Sequence, residues 1–338
     1  MITNNQRLLK NCVIVFLSLF AISIPFVWTS LTYTNYRGDL TRIAKQSEFD
    51  FGWTTAQPEL SPTTLQGSPI EQADILVIGD SFSAGLIWQS QLVQNNYKVS
   101  TYHWNENHLI CNDFSKTLNN SNFNGKIIIF EIVELGAENK IKESVQCDHQ
   151  NQTLKSPITH AATPEKKLDF SRSINLSGQF IAGAETLLNS TLIHFSMDYA
   201  DTHNKKSKSG KIYRLPDGCI FFSNKLCQFG LFYHQDYTQP AISIKTIENI
   251  RAINKQLSNY NVIWLIIPNK SSVYQRDLPL DFWQNVAKNQ FGPDLLKIFR
   301  HEKYHIKDLY KPNDTHLSTN GYLYLGQTVV EHIKKKRL

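Results

Sequence analysis

Two short segments near opposite ends of the chain carry side chains that together suit nucleophilic chemistry. Gly79-Asp80-Ser81 follows an apolar run at residues 75–78 and would place a serine hydroxyl at the end of a strand. Asp314-Thr315-His316 comes just before a terminal helical pattern. A serine, a histidine that takes its proton and an aspartate that orients the histidine are the minimum set for acyl transfer through a covalent serine intermediate. Either segment alone also fits a structural role, as a helix cap or a partner of the backbone.

The predicted strands and helices would bring both segments to one edge of a sheet. From residue 74 onward, apolar strands alternate with helical patterns, which predicts an α/β fold with a parallel sheet and helices on both faces. Ligands of such sheets bind at the carboxyl ends of the strands. Strands are predicted at residues 75–78, 97–102, 126–133 and 262–267, and helices up to about 94, at about 241–257 and at about 318–335.

Two regions lie outside this alternation. Residues 138–239 are predicted to form an insertion or cap beside the active face, with an amphipathic pattern at 174–188 and a polar basic loop at 203–211. Residues 32–70 are rich in Thr, Ser, Gln and Pro, which predicts a stalk or partly ordered lead-in. Residues 71–338 would then form the main domain.

An apolar run at residues 12–31 contains no charged side chain and is long enough to span a bilayer. Arg7 and Lys10 precede the run and no acidic residue occurs before Asp39, so residues 1–11 are predicted to be cytoplasmic and the rest extracytoplasmic. A cleaved signal peptide is the alternative, but no small-x-small motif follows the run, which favours an uncleaved anchor. A buried core helix is the third interpretation.

The cysteines indicate an oxidising compartment, because four of the five lie outside the apolar run and form an even set. Cys219 and Cys227 would close a short hairpin, and only in that case would Cys111 pair with Cys147; three pairings are formally possible. A zinc site is the alternative, although the chain has no close C-x-x-C pair. Neither a metal cluster nor a phosphate-binding loop is evident, so no cofactor is expected.

The net charge of +6 does not indicate a nucleic-acid partner. Arg7 and Lys10 supply two of these charges and residues 334–337 supply four, so the body of the chain is neutral. That body shows no basic patch with interleaved aromatic residues. The terminal basic run is predicted to be a solvated helix end, where it suits the helix dipole.

Gly79-Asp80-Ser81 and Asp314-Thr315-His316 resemble the serine and Asp/His blocks of the SGNH (GDSL) hydrolase superfamily. Residues 128–134 and 267–274 are similar to the Glu-x-Val-Glu-Arg strand and the Pro-x-Lys segment of the branch containing the alginate O-acetyltransferases of the bacterial periplasm. The serine block comes first here, whereas those enzymes have the reverse order. Leu135 stands where the branch carries arginine, and Asn313 stands where ordinary members carry aspartate.

The resemblance implies a flavodoxin-like sheet, a single-pass inner-membrane anchor and a periplasmic catalytic domain that acetylates an exported or cell-surface polysaccharide. Soluble acetyl-CoA is not expected outside the cytoplasm, so the implied partners are the polysaccharide acceptor and a membrane-embedded acetyl-donor protein. Two alternatives stay open. The same triad would serve a carbohydrate esterase, and the altered residues also suit a non-catalytic envelope protein.

The resemblance also implies roles for single residues. Ser81 would be the nucleophile, His316 the general base and acid, and Asp314 the residue that fixes the imidazole tautomer. The superfamily's oxyanion hole uses the serine N–H together with a glycine N–H and an asparagine side chain. The further oxyanion and substrate candidates are Gly79, Asp80, Asn105, Asn107, Lys270 and Tyr274. Four tryptophans are candidates for stacking on sugars, with the core as the alternative: Trp88, Trp104, Trp264 and Trp283.

Overall fold

The computed structural model describes residues 4–107, 109–149, 153–170, 173–195 and 210–336. Its centre is a parallel sheet of four strands in the order β2-β1-β3-β6. These strands are almost wholly buried, because helices cover both faces of a parallel sheet. Their sequences are therefore continuous apolar runs with little alternation of apolar and polar residues. The strands are β1 (Ile75–Gly79), β2 (Val99–His103), β3 (Ile127–Val133), β4 (Gly210–Arg214), β5 (Phe229–Tyr233) and β6 (Asn261–Ile267).

Two helix pairs cover this sheet. The helices are α1 (Asn4–Thr32), α2 (Asp39–Ala44), α3 (Glu48–Phe51), α4 (Gln89–Gln94), α5 (Trp104–Asn107), α6 (Phe114–Asn120), α7 (Glu134–Val145), α8 (Phe180–Phe195), α9 (Gly218–Phe221), α10 (Gln235–Thr238), α11 (Thr246–Gln256), α12 (Lys270–Tyr274), α13 (Asp281–Lys288), α14 (Leu295–Glu302) and α15 (Thr319–Lys335). Helix α4 packs against α15, and α7 packs against α11. The crossovers β1–β2 and β3–β6 run in opposite directions, so right-handed connections put the two pairs on opposite faces. The predicted α/β fold with a parallel sheet is therefore confirmed.

The first helix stands apart from the sheet. The part of α1 from Gln6 to Thr32 is long and apolar enough to cross a membrane. Its most apolar stretch is not buried against the rest of the protein. The predicted apolar segment is therefore a single helix that is long and apolar enough to span a bilayer.

Segment 33–69 differs from the predicted stalk. It folds back onto the domain through α2 and α3, whose Leu40 and Phe51 are fully buried. Both helices are only one or two turns long, which is too short for an apolar periodicity to be detected in the sequence. The lead-in to the domain is thus part of the packed structure.

The insertion begins later than predicted. Helix α7 contacts β3 and β6, so residues 138–145 belong to the sheet layers and the inserted region starts after Val145. The amphipathic pattern predicted at 174–188 is a helix at Phe180–Phe195, and β4 pairs with β5 in an antiparallel ribbon. Most of the predicted basic loop, residues 203–209, lies outside the described residues, and 210–211 begin β4.

Both predicted cysteine pairs are confirmed. Cys219 bonds to Cys227 within the connection between β4 and β5, and Cys111 bonds to Cys147, which joins the start of α6 to the end of α7. The remaining Cys12 lies in α1 and is free. Disulfides of this kind indicate an oxidising compartment.

Candidate active site

The serine turn follows β1 and is held by two acidic side chains. The Asp80 carboxylate accepts hydrogen bonds from the N–H groups of Phe82 (2.9 Å) and Val133 (2.8 Å), which fastens the turn to the end of β3. Glu131 Oε2 accepts from Asp80 N–H (3.0 Å) and Ser83 Oγ (2.6 Å). A Cβ on Gly79 would lie 2.2 Å from Ser83 Oγ, so only glycine fits beside these groups.

Burial of Glu131 and the charge of Asp80 raise the pKa of the Glu131 carboxyl well above its usual range. Its second oxygen is buried and has no hydrogen-bond partner among the described residues. The group therefore favours the neutral form, as two carboxyls in one buried site cannot both ionise at low cost. This neutral carboxyl and the Asp80 carboxylate fix the turn that presents Ser81.

Ser81, His316 and Asp314 form one chain of hydrogen bonds. Ser81 Oγ lies 2.8 Å from His316 Nε2, and His316 Nδ1 lies 2.7 Å from Asp314 Oδ1. The same aspartate oxygen accepts the His316 backbone N–H at 2.9 Å, which sets the ring against its own main chain. Ser81 is exposed, whereas both partners are largely covered, and the Phe82 ring packs against the imidazole at 4.8 Å between centroids.

The electrostatics of the pair suit a proton acceptor. Burial lowers the pKa of His316, but the hydrogen bond and charge of Asp314, together with the charge of Asp39, outweigh burial and leave the pKa above its usual value. Burial of Asp314 acts to raise its pKa, but the hydrogen bond and charge of His316 dominate and hold the pKa well below its usual range. The aspartate is therefore ionised and the imidazole binds a proton readily.

A second carboxylate, Asp39 of α2, reaches the same histidine. Its Oδ2 lies 3.9 Å from His316 Nδ1, and its carboxylate accepts hydrogen bonds from the Thr315 N–H at 2.8 Å and from the Thr315 hydroxyl. Burial and the charge of Asp314 raise the pKa of Asp39. Sequence reasoning missed this residue; the available signal was its position as the first acidic residue after the apolar run.

The loop that carries Asp314 and His316 is held by the segment after α1. The carbonyl of Asn313 accepts from the N–H groups of Leu40 (3.1 Å) and Thr41 (3.3 Å), and Asn313 Nδ2 donates to Glu48 Oε2 (2.8 Å). A Cβ on Gly38 would lie 1.9 Å from the Asn313 oxygen, so this close approach requires glycine. We call residues 37–48 the juxtamembrane clamp.

Lys270 holds the same loop from the other side. Its buried Nζ donates to the carbonyls of Lys311 (2.8 Å), Pro312 (2.8 Å) and Asp314 (3.3 Å). Burial lowers the pKa of Lys270 to about 7, although nearby carboxylates oppose that shift. Three carbonyl acceptors match the three N–H groups of an ammonium ion. Lys270 lines the cavity, but its hydrogen bonds hold the loop that carries Asp314 and His316.

A cavity of about 340 Å³ opens beside Ser81. Its wall combines apolar side chains such as Val133 and Leu135 with polar groups including Asp236 and Asn269. Burial raises the pKa of Asp236 to about 7. A second cavity of about 220 Å³ shares Leu135 and Asn269 with the first and extends towards α7. An elongated molecule would fit along this groove.

The candidate oxyanion donors differ in their hydrogen bonds and in their position relative to the cavity. No acceptor for the Ser81 N–H occurs among the described residues, so this donor is available, whereas the Phe82 N–H is used by Asp80. Asn105 is exposed at the start of α5, where its N–H bonds to His103 Nδ1 (3.0 Å), and it does not line the cavity. The Asn107 side chain lies outside the described residues. Asn269, two residues after the end of β6, is the asparagine that lines the cavity.

The remaining candidates lie in the core. Tyr274 is buried and its hydroxyl accepts from the Tyr310 N–H (3.4 Å), so it supports the loop and does not line the cavity. All four tryptophans considered as sugar platforms are at least 96% buried, which favours the core interpretation: Trp88, Trp104, Trp264 and Trp283.

Among the described residues, two groups of acidic and histidine side chains lie close enough together to be considered as metal ligands. Asp39, Asp314 and His316 bring their ligand atoms within 4.8 Å of one another, as do His301, Glu302 and His305 at the end of α14. In the first group, the ring nitrogen of His316 that faces the carboxylates already bonds to Asp314. Hydrogen bonding within the triad therefore accounts for that group.

The geometry supports nucleophilic chemistry on a carbonyl carbon. Ser81 has a base within hydrogen-bond reach, the base has an ionised partner, and an open cavity adjoins the hydroxyl. Comparison with protein-family models, with curated proteins and with solved structures finds no match to this chain.

Proposed function

We propose that this protein is a membrane-anchored, SGNH-type O-acetyltransferase that moves acetyl groups to an exported or cell-surface polysaccharide through an acyl-serine. The observation that carries the proposal is the chain Ser81 Oγ–His316 Nε2 (2.8 Å) and His316 Nδ1–Asp314 Oδ1 (2.7 Å) beside a groove. The resemblance of the two sequence blocks to the SGNH superfamily supports the same assignment.

In the first half-reaction, Ser81 Oγ attacks the acetyl carbonyl while His316 Nε2 takes the hydroxyl proton. The tetrahedral intermediate then expels the donor's leaving group, which receives that proton from His316. The Ser81 N–H is one donor for the oxyanion, and we assign Asn269 as the second because it lines the same cavity. The ester bond to the donor breaks and the ester bond to serine forms.

In the second half-reaction, a sugar hydroxyl attacks the acetyl-serine. His316 takes the proton of that hydroxyl and returns it to Ser81 Oγ as the serine ester breaks. The acetylated sugar leaves and the free enzyme is restored. The groove formed by the two adjoining cavities suits an extended acceptor.

The membrane topology is part of the proposal. The single apolar helix and the flanking Arg7 and Lys10 support an inner-membrane anchor with a cytoplasmic N-terminus, and two disulfides support an oxidising, periplasmic location for the domain. A membrane-embedded protein would supply the acetyl group.

The test is mass spectrometry of the full chain in detergent after incubation with p-nitrophenyl acetate, comparing wild type with Ser81→Ala. We expect an added acetyl on the peptide containing Ser81 in the wild type and none in the variant. No adduct and no ester turnover in a folded wild-type protein would contradict the proposal.

A carbohydrate esterase is the second candidate, because Ser81 is exposed and water can reach the acyl-serine. Here water replaces the sugar hydroxyl in the second half-reaction. Product analysis with an activated acetyl ester, with and without glycan, separates the two activities. Acetylated glycan indicates the transferase, whereas ester hydrolysis that no glycan alters indicates the esterase.

A further inference from the structure

Helix α8 buries mostly small and polar side chains and exposes large apolar ones, which is the reverse of an ordinary surface helix. The residues that it buries are mostly small or polar: Ala182, Gly183, Thr186, Asn189, Ser190 and Ile193. The large apolar side chains on and just before it point outward, with Leu176 85%, Ile181 78% and Phe195 86% exposed. In water, a helix at a protein surface buries its apolar face and exposes its polar one.

The buried polar face of α8 is satisfied by hydrogen bonds to the segment that follows α1. Thr186 Oγ1 bonds to Tyr36 Oη (2.6 Å) and Asn189 Nδ2 donates to the Lys45 carbonyl (2.8 Å). Farther along, Asp50 accepts from Ser190 Oγ (2.6 Å) and lies 2.8 Å from His194 Nε2. These contacts fix the orientation of α8, so the outward position of its apolar side chains follows from the fold.

The exposed apolar face is continuous with the surface of α1. The ring of Phe180, at the start of α8, packs edge-on against Phe26 of the apolar helix, with 5.8 Å between centroids. One turn later, a Cβ on Gly183 would lie 2.1 Å from the Ser30 carbonyl oxygen, so the two helices touch through backbone. Lipid that surrounds Phe26 of α1 would therefore also contact Phe180 at the start of α8.

We propose that α8 is an interfacial helix whose outward face, from Leu176 to Phe195, lies in the headgroup region of the bilayer that α1 spans. The surface comprises Leu176, Phe180, Ile181, Leu188, Leu192 and Phe195. A helix of this kind places its apolar side chains at the boundary of the acyl chains and needs no spanning length. Glu185, the charged residue on this face, would remain among the headgroups. The proposal rests on the membrane anchor and not on the chemistry of Ser81.

The test uses the full chain with Cys12→Ser, reconstituted in phosphatidylcholine vesicles, with one cysteine at a time labelled by an environment-sensitive nitrobenzoxadiazole dye. Ile181→Cys, Leu188→Cys and Phe195→Cys probe the helix. Ile22→Cys, within the span, is the positive control, and Lys255→Cys, on an exposed position of α11, is the aqueous control. Quenching is measured with nitroxide-labelled lipids and with aqueous iodide.

We expect all three α8 positions to show blue-shifted emission, strong quenching by the nitroxide lipids and weak quenching by iodide, close to Ile22. Quenching like that of Lys255 at all three positions would overturn the proposal. So would lipid quenching at position 181 alone, because α8 would then leave the bilayer instead of lying on it. Shielding from both quenchers would also overturn it, since protein, such as a second copy, would then cover the face.

Discussion

Replacing Asp39 by Asn tests whether this second carboxylate raises the pKa of His316, the proposed general base. The exchange removes one negative charge 3.9 Å from His316 Nδ1 and keeps an oxygen for the Thr315 N–H. At about 4 Å, two unit charges interact with about 1 kcal/mol in water and about 4 kcal/mol at an effective dielectric constant of about 20. Both side chains are 28% exposed, so we take a value near the lower limit.

An interaction of about 1 to 1.4 kcal/mol corresponds to about one unit in the pKa of His316. The base must be neutral to accept the serine proton, so acylation rises with pH through a pKa that is above 6.5 in the wild type. In Asp39→Asn, the imidazolium loses a favourable neighbour and its pKa falls. We expect the rising limb to move about one unit towards lower pH, and the plateau rate to fall about fivefold because the transition state carries an imidazolium.

The assay is the pH dependence of acetyl-serine formation from p-nitrophenyl acetate by the full chain. Asp277→Asn, which removes an exposed carboxylate far along the chain from the His316 loop, is the matched control for the change in net charge. An unshifted limb in a folded Asp39→Asn protein would refute this reasoning. A limb that moves to higher pH would do the same.

Three further predictions concern stability and positioning. Burial raises the pKa of Glu131, so the folded state keeps a proton that the unfolded state releases, and stability falls as pH rises above the unfolded value of 4.5; Glu131→Gln should remove the contribution of this group, so that Tm declines less steeply with pH than in the wild type. Lys270→Met removes the ammonium donor shared by three loop carbonyls, and it should slow acylation by about 100-fold while the fold persists by circular dichroism. Replacing the Cys111–Cys147 pair, separated by 36 residues, should lower the free energy of unfolding by about 4 kcal/mol, against about 2.5 for Cys219–Cys227, separated by 8, in urea titrations.

The parallel sheet and the two outer segments of the site could be predicted because their signals are local. Buried strands such as β1 and β6 are continuous apolar runs, and Ser318 begins the last helix by accepting a hydrogen bond from the Gly321 N–H (3.1 Å). Glycine before a serine, and aspartate two residues before a histidine, likewise stand together in the sequence. The close contact of Ser81 with His316 follows because both segments lie at one sheet edge.

The positions of Asp39 and Asn269 beside the cavity could not be predicted because they depend on contacts between distant parts of the chain. Asp39 reaches His316 only because Glu48, Asn313 and Gly38 hold the clamp against the loop, and no periodicity marks these residues. Lys270 lines the cavity, as expected for a substrate-site candidate, but its ammonium bonds to backbone carbonyls of the 311–314 loop, which the sequence does not indicate. Side chains that act across the fold leave no spacing rule in the sequence.

The juxtamembrane clamp also limits how far the candidate site can lie from α1. Asp39 follows the last residue of α1 by seven positions, and an extended chain of that length reaches at most about 25 Å. His316, which lies 3.9 Å from Asp39, therefore stays close to the end of α1 and cannot swing outward on a long tether. On the proposed function, an exported polysaccharide would be modified close to the membrane as it emerges. A chain cut at residue 70 would lose Asp39 from the site along with the apolar helix.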